Sequence, residues 1–297
     1  MSAQPLADLS GHRPKTSILT LREKRTRGER ISVLTAYDFP TARLLDAVGV
    51  DALLVGDSLA MVVLGHPNTL SVTMDEMLHH ARAVARGARA ALLIGDMPFL
   101  SYQADDAEAV RNAGRFLQAG MDAVKLEGGR AFVSTVRAIV RAGIPVQGHV
   151  GLTPQSMHML GGFRVQGRTA RAAQALLEDA LALEDAGCFS IVLESMPDRV
   201  ARAITERLQV PTIGIGAGPG TSGQVLVTHD LLGLVGEAPR FARRYADLGS
   251  AIREAASAFR DQVELGSFPT PAHSFTIADP EWDAFLAATG EAIPALA

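Results

Sequence analysis

Residues 44–57 read LLDAVGVDALLVGD. An amphipathic stretch runs into Gly49, a short apolar run follows, and the run ends on an acid. The same order returns as FLQAGMDAVKLE at 116–127 and as LEDAGCFSIVLE at 183–194. A glycine after a helical pattern is a helix stop, and the run behind it has the length of a strand. Working outward from these repeats, eight apolar runs are found, at 31–36, 52–55, 91–95, 123–126, 145–149, 189–194, 212–215 and 225–228. Most are hydrophobic almost without a break, as in parallel strands covered on both faces.

Helix-period segments lie between the runs, at 73–88, 105–118, 131–142, 169–186 and 198–208. Thr73 with Glu76 three residues on has the spacing of a capping box. Gly49, Gly120, Gly143 and Gly187 stop helices ahead of strands. Eight strands alternating with helices favour an α/β fold of the TIM-barrel (β/α)8 type over an open doubly wound sheet. Residues 212–225 leave little room for a crossover helix, so the glycine-rich GIGAGPGTSGQ predicts an irregular connection. The expected organisation is a segment 1–30 with a short helix at 17–27, a barrel at 31–265 and a C-terminal helical tail at 266–297. Residues 240–265 are expected to form one long helix or two shorter ones.

A chain of 297 residues can bury a core without disulfides. Lys and Arg number 28 against 32 Asp and Glu, a net charge of −4, which argues against general nucleic-acid binding. The single cysteine, Cys188, excludes an internal disulfide and a Cys-rich zinc site, and suits a buried small hydrophobe in a reducing compartment. The first seventeen residues have no apolar core of signal-peptide length, and no window approaches the roughly 18 apolar residues of a membrane span. A cytoplasmic protein without nucleic-acid or membrane partners is expected.

In a barrel, chemistry sits at the C-terminal mouth of the strands. The residues there are Asp57-Ser58, Asp96, Lys125 with Glu127, His149 and Glu194. Asp57, Asp96 and Glu127 end three consecutive strands. Converging carboxylates repel unless a cation or proton compensates, and hard oxygen ligands without cysteine select Mg²⁺ or a relative. The competing reading of the two aspartates is a cap on the next turn. Lys125 and Glu127 lie two apart, hence on one face of a strand. They suit either a substrate carboxylate or a structural ion pair. Glu194 ends the strongly apolar SIVLE and has the setting of a general base; the alternative is a cap or a solvent-facing acid. His149 suits an oxyanion contact or a structural role. The loop at 214–220 lacks the lysine of a P-loop and suits a tight turn or a close backbone approach. His79 and His80 are adjacent on a helix, so they point apart.

These segments, with GDMPFLSY at 95–102, GHVGLTPQS at 148–156, GGFRVQGR at 161–168 and VTHDLLG at 227–233, resemble the ketopantoate hydroxymethyltransferase family in order from about residue 31 to 273. Ala60 and Ser71 depart from residues common in that family, and neither is a proposed ligand. The resemblance implies a fold like that of phosphoenolpyruvate mutase and isocitrate lyase. It implies transfer of a one-carbon unit from 5,10-methylenetetrahydrofolate to 3-methyl-2-oxobutanoate, giving 2-dehydropantoate. It implies one Mg²⁺ per subunit surrounded by Asp57, Asp96 and Glu127. Asp57, Ser58, Asp96, Lys125 and His149 are then on the 2-oxo acid, and Glu194 is the proton acceptor. A homo-oligomer, a decamer built as a pentamer of dimers, is also implied. The loop at 99–102 or that at 157–168 is expected to close over the site.

Two other readings compete. Lyases and mutases on Mg²⁺ barrels share enolate chemistry, but the lyases use a catalytic cysteine in a dedicated loop, and Cys188 stands before a strand in AGCFS. A non-catalytic metabolite-binding barrel needs no acid–base residue, whereas Glu194, Lys125 and all three acids are present together.

Overall fold

The computed structural model describes residues 13–289. The ends of the expected first segment and of the tail, 1–12 and 290–297, lie outside the described residues. Eight strands form a closed parallel barrel in chain order: β1 (Ile31–Thr35), β2 (Ala52–Val55), β3 (Leu92–Asp96), β4 (Ala123–Lys125), β5 (Val146–Gly151), β6 (Ser190–Glu194), β7 (Thr212–Ile215) and β8 (Gly223–Leu226). β8 closes on β1 in the register Ile31 to Gly223. A side chain at 223 would place its Cβ 2.3 Å from the Ile31 carbonyl oxygen, so closure here requires glycine.

The strands are apolar on both faces because they carry two cores. One lies inside the barrel and contains Val33, Ala52, Leu54, Leu92, Ile94, Ala123, Val192, Ile213 and Val225, with Leu21 of the N-terminal helix Ile18–Thr26 among them. The other lies between strands and helices and contains Leu53, Val55, Leu93, Val124, Leu126, Ile191 and Leu193. This strict alternation fixes what points inward at the mouth. Ala123 is inside and Val124 outside, so Lys125 points inside; Leu126 is outside and Glu127 again inside. On β3, Gly95 turns outward, where a Cβ would meet the Phe116 ring at 2.3 Å, and Asp96 turns inward.

The helices start and stop as their sequences dictate. Thr73 caps Met74–Gly87 in a capping box with Glu76. Asp105 caps Asp106–Gln118, and Thr169 caps Ala170–Asp185. Gly49, Gly120, Gly143 and Gly187 all have positive φ. No helix joins β7 to β8, as the glycine-rich connection predicts. The eighth strand starts two residues earlier than the apolar run, and Thr228 already opens the helix Thr228–Leu232.

The chain divides into two compact units at Ala246/Asp247. That boundary precedes the expected one at residue 265. The helix Leu248–Glu264 starts the second unit and has no buried residue. Residues 240–247 are not helical. Within the second unit Phe268 packs edge-on against Phe259 at 5.5 Å, and Trp282 stacks on Phe285. Among the described residues no helix is long and apolar enough to cross a membrane.

The buried Asp46 carboxylate ties the chain entering β3. It accepts the N–H groups of Arg89 (2.9 Å), Ala90 (3.1 Å) and Ala91 (2.7 Å). Replacing it with alanine strands three backbone donors. An Asp46→Ala variant is expected to lose about 3 kcal/mol of unfolding free energy, measured by urea titration; a loss within 0.5 kcal/mol, the range of an ordinary surface change, would contradict this role.

Candidate active site

The inward-facing acids and their cation meet at the mouth of the barrel, on the wall of a cavity of about 700 Å³. Lys125 is the hub. Its Nζ donates to both oxygens of Asp96, at 2.7 and 2.9 Å, and lies 3.9 Å from Glu127 Oε1. Both side chains of the Lys125–Asp96 pair are nearly inaccessible. Burial opposes the lysine charge, but Asp96 first, then Glu127 and Asp57, hold its pKa above the ordinary lysine range.

Asp57, after β2, donates its backbone N–H to Asp96 Oδ2 at 3.2 Å. Burial first, then the charges of Asp96 and Glu127, push its carboxyl well above the usual range. Ser58 Oγ lies 2.9 Å from the buried Tyr37 hydroxyl. Glu127 behaves in the opposite way to Asp57. Burial alone would raise it, yet His149, Lys125 and the Gln155 N–H hold its pKa below the ordinary value.

His149 stands between two acids, its Nδ1 3.5 Å from Glu127 and its Nε2 3.3 Å from Glu194. These separations are long for hydrogen bonds, and neither ring nitrogen has another partner among the described residues. Both nitrogens therefore face carboxylates, which suits a ring carrying two protons. Burial and Lys125 act against that charge; Glu127 and Glu194 outweigh them and raise the pKa to about 9. Glu194 is the most accessible of the acids, at 17% of its side chain. Ser195 behind it has φ +47°, a left-handed conformation uncommon outside glycine.

All seven residues expected from the sequence thus line one cavity. Two residues that the sequence reading did not single out bind them together. Gln155, in the short turn Pro154–Ser156 after β5, is buried and uses its whole hydrogen-bonding capacity. Its Nε2 donates to Asp57 Oδ2 (2.9 Å) and to the Met97 carbonyl (3.0 Å). Its Oε1 lies 2.9 Å from the Tyr102 hydroxyl and accepts from Gln103 (3.0 Å), and its backbone N–H donates to Glu127 Oε2 (3.0 Å). The Tyr102 hydroxyl also accepts the Glu127 N–H at 3.1 Å. Tyr102 is therefore anchored, which removes it from the loop at 99–102 expected to move. In the second loop, Met159 and Phe163 remain exposed.

Other sequence features are structural. Gly218 packs where a Cβ would meet Asp198 at 2.5 Å, so the glycine-rich loop is a tight turn against the helix Asp198–Arg207. Cys188 is buried, and burial pushes its thiol up to about 12. His80 Nδ1 contacts the Tyr37 carbonyl at 2.6 Å. Among the described residues no three His, Cys, Asp or Glu side chains converge into a metal-holding group by themselves. Asp57, Asp96 and Glu127 share the cavity, but Lys125 and Gln155 take up hydrogen bonds among them.

A model of the ketopantoate hydroxymethyltransferase family matches residues 15–271. The chain belongs to this family. It is 60% identical to the 3-methyl-2-oxobutanoate hydroxymethyltransferase of Syntrophobacter fumaroxidans, over 86% of this chain and 92% of that one. Identity to the protein of the same name from Nitratidesulfovibrio vulgaris is 53%, over 97% and 93%. Among solved structures, phosphonopyruvate hydrolase is similar with a TM-score of 0.59 at 14% identity, covering 93% of this chain and 98% of that one. A 2,3-dimethylmalate lyase of the phosphoenolpyruvate mutase/isocitrate lyase superfamily is similar at 0.57 and 18%, covering 93% and 99%. At such identities the likeness establishes the fold.

Two predictions follow from this geometry. In cation-free protein, His149 is expected to be an imidazolium at pH 7 and to titrate near pH 9, read by ¹⁵N NMR. Its unfolded pKa is about 6.5. The stability it contributes is therefore full below about pH 6.5 and is lost as the pH rises through 9. A neutral ring at pH 7 would refute the two-carboxylate account. Separately, Gln155→Leu keeps the volume and removes four hydrogen bonds. It is expected to cost about 2–4 kcal/mol in denaturant unfolding, while a neutral substitution would show the network to be dispensable.

Proposed function

We propose that this chain transfers a hydroxymethyl group from 5,10-methylenetetrahydrofolate to 3-methyl-2-oxobutanoate. With one water consumed, the products are 2-dehydropantoate and tetrahydrofolate, a step of pantothenate biosynthesis. The observation that carries the reading is one buried lysine among inward acids with the most accessible acid, Glu194, opposite them in the same cavity. Membership of the family supplies the reaction class.

The donor set suits a hard divalent cation. Burial first, then the charges of Asp96 and Glu127, push Asp57 toward protonation, and a bound cation would offset both effects. Mg²⁺ is commonly held by one or two carboxylates, with ligand oxygens and water completing its shell. Asp57 and Asp96 would hold it, one per subunit, with Glu127 as the third acid. Bound there, the cation supplies Lewis acidity to the oxygens of a 2-oxo acid. Lys125 offsets the substrate carboxylate, and Ser58 offers it a hydroxyl. Glu194 takes the proton from C3. One water releases the methylene carbon as the aldehyde-level CH2=O, its two protons going to the donor's two freed nitrogens. The electron pair left at C3 then forms the new carbon–carbon bond with that carbon, its π pair moves to oxygen, and the proton held by Glu194 completes the hydroxyl. His149, held cationic beside Glu194, orients that carboxylate and balances its charge. In this reading the protein works in the cytoplasm as a homodecamer.

A lyase reading is disfavoured by Cys188, which is buried ahead of β6 and away from the mouth. The test is proton NMR of 3-methyl-2-oxobutanoate in D₂O with protein and Mg²⁺. Wild type is expected to wash out the C3 proton and, with the folate, to form product. Glu194→Gln is expected to slow washout by about 10²–10⁴-fold. Absence of both washout and product with folded wild type would overturn the reading.

A further inference from the structure

A five-carbon acid fills only part of a cavity of about 700 Å³, a size that suits a much larger ligand. The mouth residues already described come from the ends of β2 to β6. Part of the remaining wall comes from β8 and the chain after it, including Val227, Asp230, Val235 and Phe241. Asp230 has no part in the chemistry above. It is 9% exposed, and its carboxylate has no hydrogen-bond or ion-pair partner among the described residues. The residue is largely buried, but its carboxylate oxygens stay accessible from the cavity, where they are free to accept from a ligand that brings paired donors.

Its position is fixed in advance. Thr228, two residues before it, donates its backbone N–H to Thr35 Oγ1 (3.0 Å) and its hydroxyl to the Thr35 carbonyl (2.5 Å), which pins the helix Thr228–Leu232 to the end of β1. Farther out on the same cavity, Arg164 and Arg240 are exposed, and neither guanidinium has a partner among the described residues. The cavity is therefore polarised, with an unpaired anion inside and unpaired cations at the rim.

We propose that Asp230 binds the N–H edge of the 2-amino-4-oxopyrimidine ring of the one-carbon donor, with the donor's anionic tail directed to the arginine rim. This rests on the reading that the donor is a folate. The ring presents a ring N–H and an exocyclic amine side by side, and a carboxylate accepts both in parallel. Phe241 offers an apolar face to a flat ring at the outer part of the cavity.

The test is Asp230→Asn, which keeps the shape and removes one of the two acceptors. Binding of tetrahydrofolate, and of 6,7-dimethyltetrahydropterin, which lacks the tail, is measured by calorimetry alongside thermal unfolding of the ligand-free protein. Affinity for both ligands is expected to fall at least about tenfold. The ligand-free variant is expected to be as stable as wild type, because the carboxylate makes no contact within the described protein that the substitution removes; a carboxylate with a structural role would instead lower stability. Undiminished binding of both ligands would overturn this inference and leave the donor reading standing. A loss confined to tetrahydrofolate would also overturn it, since Asp230 would then sense the tail. No binding of tetrahydrofolate to wild type would instead remove the folate reading, and this inference with it.

Discussion

A buried lysine clamped on a buried aspartate organises the mouth of this barrel. Lys125 and Asp96 come from neighbouring strands and lie in direct register, β3 to β4. Their ion pair is almost inaccessible to water. A pair of this kind adds little net stability, but loss of either partner leaves an uncompensated charge and costs about 3–5 kcal/mol. Asp57 leans on Asp96 through its backbone N–H, Glu127 leans on Lys125, and His149 leans on Glu127. The acids can therefore stand this close only while that cation is in place.

The barrel makes the clamp possible. Alternation along parallel strands sends every second residue inward, and the interior below the mouth is filled by Val33, Leu54, Ile94, Val192 and Val225. That packed floor keeps water from the underside of the acids, which strengthens each electrostatic contact. Outward-facing glycines complete the arrangement. Gly95 and Gly148 let helices approach β3 and β5 so closely that a Cβ would overlap Phe116 or crowd Leu183.

The fold alone does not choose the chemistry. Similar barrels include a hydrolase and a lyase at less than 20% identity. In barrels of this kind the chemistry is set by the side chains on the strand ends and in the loops behind them. Gln155 shows the division of labour: it leaves the inward acids in place on their strands and fixes their orientation from the β5 loop.

The barrel was legible in the chain because parallel strands buried on both faces leave unbroken apolar runs, and glycine stops mark the helix ends between them. Asp57, Asp96, Lys125, Glu127, His149 and Glu194 were legible for the same reason, since a period of two and a strand end determine where a side chain points. The extent of the barrel unit was not legible. Residues 248–264 carry a helical pattern, and a helical period does not say to which compact unit a helix belongs. Gln155, Tyr102 and Asp230 were equally hidden, because they lie in turns and at a short helix after the strands, where no periodicity assigns a direction. Their roles depend on contacts between residues far apart in the chain, such as the Gln155 amide on Asp57. The local sequence determined which side chains face inward; only closure of the barrel decided which of them meet, because charge, burial and hydrogen bonding act across distances that the chain order does not encode.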